Sequence, residues 1–276
     1  MIGALRRLGV RLALPGALRR PGVRLALLGA GAYLVFLVAN LPAAWLGLAL
    51  ERTSGGALAL GDPRGTVWSG SGVLALRSGS AYRGIVDLEW RCNPLWVLAG
   101  RLNVALSGAG REARLRAKVS LGAGKAAVND LEANVPAAIA ETALAAAAFA
   151  KPDGQLRVKA DSLEWGAASV RGAATVEWTD AGLGGMQAPR LGDYQLQIAA
   201  SGDRADLRLA TLRGDLRLTA GGEWRAAQPR MVQLRGTAQA SAERKDLEPF
   251  LRAIGVTSVG VSQPFAWTVP IGGIAG

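Results

Sequence analysis

The chain has 276 residues, formal net charge +11, no histidine and one cysteine. The missing imidazole removes the usual general base and the commonest transition-metal ligand, and the lone Cys92 excludes an intramolecular disulfide and a cysteine-based zinc site. The basic excess is uneven: residues 1–24 hold Arg6, Arg7, Arg11, Arg19, Arg20 and Arg24 and no acid, which leaves +5 for the rest. With no basic helix interleaved with aromatics, no nucleic-acid partner is expected.

Residues 1–22 read as a basic cytoplasmic tail. Leu8–Ala17 recurs as Pro21–Ala30 at a period of 13, eight of ten residues identical. Leu25 to Leu50 then runs for 26 positions without a charge, where about 20 apolar residues suffice to cross a bilayer as a helix. Asn40 and Pro42 mark where such a helix yields. The expectation is a transmembrane helix over 23–41, with Arg24 reaching back to the headgroups. A short interfacial helix comes next over 42–50, with Trp45 as its aromatic anchor. Positive flanks stay in the cytoplasm, so Arg19, Arg20 and Arg24 orient the C-terminal mass to the far side. A cleaved signal peptide is disfavoured: Pro42 before Ala43-Ala44 makes a poor cleavage site.

From residue 51 the pattern becomes strict alternation. Ala113-Arg-Leu-Arg-Ala-Lys-Val-Ser-Leu121 sets apolar residues on one face and polar ones on the other, as in a half-buried strand. Residues 102–106, 156–160, 194–198, 206–209, 216–218 and 232–235 repeat it. Gly-rich turns are expected at 107–110, 122–124, 201–203 and 221–222. Short strands joined by short turns favour antiparallel pairing. Helices are few: an Ala-rich run opened by Pro136 and reaching Phe149, and a short helix from Asp246 to Ile254 closed by Gly255. Residues 263–276 read as a C-terminal tail. The fold class is therefore mainly β: one N-terminal transmembrane helix, then an elongated, twisted antiparallel sheet domain over 51–262 with one or two short helices.

No residue set points to catalysis. Glu89, Glu164 and Glu177 each precede a Trp, so they face away from it, toward solvent if the Trp is inward. Asp203, Asp206 and Asp215 neighbour Arg204, Arg208 and Arg217 as surface ion pairs of small value. Ser69, Ser71, Ser78 and Ser80 have no histidine to activate them, and no lysine sits in an SxxK pattern. There is no phosphate-binding glycine loop. No cofactor is expected. The Glu-Trp pairs at 89–90, 164–165, 177–178 and 223–224 form a weak internal echo, which the preference of Trp for strands also explains.

One ordered pattern stands out: Gly65-Thr-Val-Trp-Ser-Gly-Ser-Gly72, then Leu88-Glu-Trp90, then Asn93-Pro-Leu-Trp-Val-Leu-Ala-Gly100, preceded by Leu-Pro-Ala-Ala-Trp-Leu at 41–46. In this order the chain resembles the type II secretion system protein N family over roughly residues 25–260. The signature residues are Gly65, Thr66, Trp68, Ser69, Gly70, Trp90, Pro94, Leu95 and Gly100, read chiefly as structural. The resemblance implies a non-enzymatic, single-pass protein of the bacterial inner membrane with its C-terminal domain in the periplasm. Its partners would be other inner-membrane and periplasmic components of that system, and the bilayer through one helix. The alternative is an AsmA-like periplasmic β-groove protein that binds or transfers lipid on the apolar sheet face.

Overall fold

The computed structural model describes residues 21–78, 81–98, 100–143, 151–166, 169–184, 190–228, 231–253, 255–256 and 259–270. The duplicated tail with Arg19 and Arg20, Ser80, the end of the Ala-rich run toward Phe149 and residues 271–276 lie outside them. The chain divides into two units, one up to Leu41 and one from Pro42 onward.

The first unit contains helix α1 (Pro21–Ala39). Proline suits a first turn because its missing N–H has no intrahelical partner there. The helix stops two residues short of the expected end. Asn40 turns back on it, the Asn40 backbone N–H and side-chain Nδ2 both donating to the Phe36 carbonyl, at 3.1 and 2.8 Å. Leu25, Leu28 and the run Tyr33–Val38 are exposed. Among the described residues, no helix is long and apolar enough to cross a membrane.

The second unit opens with α2 (Ala44–Thr53) and, among the described residues, builds one antiparallel sheet of 13 strands in sequential order. The strands are β1 (Leu58–Gly65), β2 (Ser69–Ser78), β3 (Ala81–Cys92), β4 (Arg101–Ala109), β5 (Arg114–Gly122), β6 (Lys125–Pro136), β7 (Pro152–Gly166), β8 (Ser169–Leu183), β9 (Gly192–Gly202), β10 (Arg204–Arg213), β11 (Leu216–Arg225), β12 (Met231–Ala240) and β13 (Gln263–Pro270). Each strand pairs only with its neighbours in sequence, so turns alone connect most of them. Short helices fill three connections: α3 (Leu95–Leu98), a 3-10 turn (Ala137–Ile139) running into α4 (Ala140–Ala143), and a second 3-10 turn (Lys245–Leu247) running into α5 (Glu248–Ala253).

The alternation read at 113–121 survives into three dimensions. Ala113 and Ala117 are buried while Arg114, Arg116 and Lys118 are exposed. The register carries this face across the sheet: Trp90 lies opposite Leu106, and Leu106 opposite Ala117. It is interrupted where aspartates take the left-handed conformation. Asp62, Asp130 and Asp180 have φ of 45, 51 and 51°, each at a break in the ladder, as expected of bulges.

Pro136 ends β6 and directly precedes the expected helical run, whose described part is Ala137–Ala143. Two expectations change. Gly221 and Gly222 lie inside β11, not in a turn. A Cβ on Gly222 would come within 2.4 Å of the Gln233 carbonyl and 2.6 Å of Leu234 Cδ2, so Gly222 marks a close approach of the next strand. Gln263–Pro270, expected to be part of a tail, is the thirteenth strand, paired along its whole length with β12. Its uncharged, Pro-flanked composition hides a strand that a neighbouring edge recruits.

The main core lies where α5 and the 3-10 turn before it close on the apolar face of β9–β13. Leu191, Leu216, Ala240, Leu247, Leu251 and Val256 meet there, all nearly inaccessible to solvent. As expected, α5 stops at a glycine: Gly255 adopts φ +84° and the Val256 N–H reaches back to the Leu251 carbonyl at 2.8 Å. Toward the other end of the sheet most buried positions are alanines, among them Ala75, Ala113, Ala117 and Ala160.

Candidate functional site

The signature residues before Pro94 converge on one tight turn between β1 and β2. Gly65 takes φ +86°, and a Cβ there would lie 2.5 Å from the Ser69 carbonyl, so the turn requires glycine. Thr66 organises the rest of the turn. Its Oγ1 accepts the N–H groups of Trp68 and Ser69 at 3.3 and 3.2 Å, and its own N–H donates to the Ser69 carbonyl at 2.9 Å. The Thr66 carbonyl accepts Trp90 Nε1 at 3.0 Å. Trp90 is thereby drawn over the hairpin, where Gly70 receives it: a Cβ on Gly70 would sit 2.6 Å from Trp90 Cζ2. The Cys92 N–H donates to the Trp68 carbonyl at 2.6 Å. Six of the nine signature positions thus form a joint that stitches β1, β2 and β3.

The same turn grips the start of this unit. Pro42 forms an isolated antiparallel bridge with Thr66, and the Ala43 N–H donates to the Gly65 carbonyl at 3.1 Å. Ala43 is buried. From there α2 packs on β1, with Gly47 against Leu60. Its outer side presents Trp45, 57% exposed, and Leu48, 47% exposed. Pro94, Leu95 and Gly100 are not part of the joint. Leu95 opens α3 in the β3–β4 connection and Pro94 and Gly100 flank it; Gly100 has φ +69° and its N–H caps the Val97 carbonyl at 2.9 Å.

A second feature is a hollow of about 780 Å³ on the polar face of β3–β7. The register builds it: Asp87, Ala109, Arg114, Asn134 and Arg157 fall in one row, and Glu89, Ser107, Arg116, Glu132 and Lys159 in the next. Charges of both signs share it, and Arg157 turns toward Glu177 at 3.5 Å. The glutamates before the tryptophans are split by environment: Glu89 and Glu164 are exposed while Glu177 is half-buried. Trp90 is buried, whereas Trp165 is 42% exposed, so the Glu-Trp pairs do not share one structural role.

Among the described residues, no three His, Cys, Asp or Glu side chains cluster as metal ligands. The Cys92 thiol is half-buried, and that burial raises its pKa, away from the thiolate a nucleophile needs.

Sequence reasoning missed one polar cluster. Arg244 donates to Asp215 Oδ2 at 2.9 Å, to both Asp246 oxygens, and to the Arg190 carbonyl at 3.0 Å. Asp215 therefore pairs with an arginine far along the chain, where a pairing with Arg217 was expected. Fork geometry and three converging acceptors make this a clamp on the loop that leads into α5. Only the spacing Arg244-x-Asp246 hinted at it.

The second unit is thus a sequential antiparallel β meander whose signature joint grips Pro42 and Ala43. The family model for type II secretion system (T2SS), protein N matches residues 56–262, and the chain belongs to that family. All nine signature residues fall inside the match. No curated protein and no solved structure matches the chain.

Proposed function

We propose that this protein is a non-enzymatic component of the type II secretion system, anchored in the inner membrane, whose periplasmic sheet acts through contacts with other components. The observation that carries the reading is the family match over 56–262, joined to a signature turn that holds Pro42 and Ala43, just after the proposed anchor over 23–41. A family motif spent on gripping Pro42 and Ala43 makes sense where that point is a mechanical junction. The charge-free stretch from Leu25 to Leu50 supplies the anchor over 23–41, and Arg19, Arg20 and Arg24 keep the N-terminus in the cytoplasm. The outer side of α2, with Trp45, Leu48 and Arg52, suits the headgroup region. No cofactor or nucleic acid enters this role. The lipid-groove alternative draws no support from the family match.

The test uses the full chain with a C-terminal tag in a bacterium carrying the system. The body should fractionate with the inner membrane, and protease added to spheroplasts should remove the tag. Deleting the gene should reduce export of type II substrates, with restoration by the intact chain only. A tag protected in spheroplasts, or a body recovered from the cytosol, would overturn the reading.

A further inference from the structure

A sheet of sequential strands leaves two edges, and these two are treated differently. Along β1, Pro63 lacks an N–H, Asp62 turns left-handed at φ 45°, the register breaks between Gly61 and Arg64, and α2 packs alongside. These are the devices that stop an edge from recruiting another strand. Along β13 the pairing with β12 runs without a break, and the strand carries no charge.

The phase of β13 is set by two bonds near its partner's end. The Gly260 N–H donates to the Ala240 carbonyl at 2.9 Å on one side of β12, and the Ser241 N–H donates to the Asp215 carbonyl at 3.0 Å on the other. In an extended strand the N–H and C=O of one residue point the same way and alternate along the chain. Even-numbered residues of β12 therefore face β13, where they meet Gln263, Phe265, Trp267 and Val269. Pro264, Ala266, Thr268 and Pro270 turn their backbone groups outward. Proline belongs where no N–H is needed inside the sheet, and here two prolines bracket a short window of free donors.

That window is symmetric about Trp267. We propose that β13 is a homodimerisation edge: a second copy of this chain pairs with it antiparallel, with Trp267 on the two-fold axis. Ala266 then faces Thr268 of the second copy, each giving its N–H to the other's carbonyl, and the same pair recurs across the axis. Pro264 faces Pro270, so neither proline faces an N–H left unpaired. Trp267 meets its own counterpart in the closer, non-hydrogen-bonded position, where Cα atoms stand about 4.5 Å apart. This covers a side chain that is 42% exposed while Phe265, on the same face, is 8% exposed. A slip by one residue would turn the side chains to opposite faces, and a slip by two would set Trp267 opposite Phe265 or Val269 and not its counterpart. The absence of charge removes like-charge repulsion between copies. With the β1 edge blocked, the pairing closes at two copies and does not propagate. The assignment stands independently of the secretion role.

The test uses the full chain in detergent, in a Cys92→Ser background. Differently tagged A266C and T268C chains are co-expressed and oxidised; the mixed disulfide should dominate over either self-pair, since directly opposed Cα atoms about 5.5 Å apart can be bridged. Independently, Thr268→Pro should weaken dimerisation at least about tenfold in sedimentation equilibrium, by removing an outward donor from each copy, with an unchanged circular dichroism spectrum. Wild-type chain that stays monomeric through the micromolar range, equal yields of mixed and self disulfides, or a Thr268→Pro chain that folds and dimerises like the wild type would each overturn the proposal.

Discussion

Gly70 and Gly221 are both strand glycines, yet they face different surroundings. A Cβ at Gly70 would collide with Trp90 and the Arg64 carbonyl, whereas one at Gly221 meets nothing within 4 Å. Gly70→Ala should therefore destabilise the protein by about 1–3 kcal/mol through overpacking, and Gly221→Ala should stay within about 0.5 kcal/mol of wild type; urea unfolding followed by tryptophan fluorescence compares them. Equal stabilities would show that the joint does not hold the strands together. The clamp at Arg244 makes a pH-dependent prediction. Its hydrogen bonds hold the Asp246 carboxyl below its ordinary value, so the stabilisation is present above the unfolded carboxylate pKa of about 3.9 and is lost as pH falls through the lower folded value. Arg244→Gln should melt below wild type at pH 7, with the gap closing under acid conditions. The exposure of Asp246 keeps that gap small.

At the level of elements, α5 is the part of this unit that most resembles a conventional core. Leu251 is 1% exposed and packs with Leu216 and Leu247, so Leu251→Ala should cost about 2–5 kcal/mol, cavity included, read by chemical denaturation. This helix was legible in the sequence because its end carries a glycine and its length is short. The alternating strands were legible for a similar local reason: period two is written in each segment. Gly221-Gly222 and β13 were not legible. A glycine pair reads as a turn unless the neighbouring strand is known to press on it, and β13 lacks the polar alternation of a half-wet strand. Of the candidate site, the turn chemistry at Gly65 was readable, but its contacts with Ala43 and Trp90 link positions far apart in the chain.

Across the whole sheet, nearest-neighbour pairing predicts graded stability, as in repeat arrays where each unit touches only the next. The buried cluster lies toward β9–β13, while small alanines fill much of the other end. Native-state hydrogen exchange should be slowest in β9–β12. Leu216→Ala should speed exchange there and leave β2–β5 nearly unchanged; uniform acceleration would show one cooperative unit instead. Local pattern was enough to establish the class of this protein. Alternation specified a two-faced antiparallel sheet, the Arg-bearing tail and charge-free run set the first residues apart from it, and the ordered Gly, Trp and Pro positions indicated the family. It took the folded chain to establish that the strands pair in strict order, that the signature turn grips Ala43, and that β1, with its register broken, and β13, paired without a break, form the two ends of the sheet. Alternation records which way each side chain faces, but register and edges depend on backbone partners that no local pattern encodes.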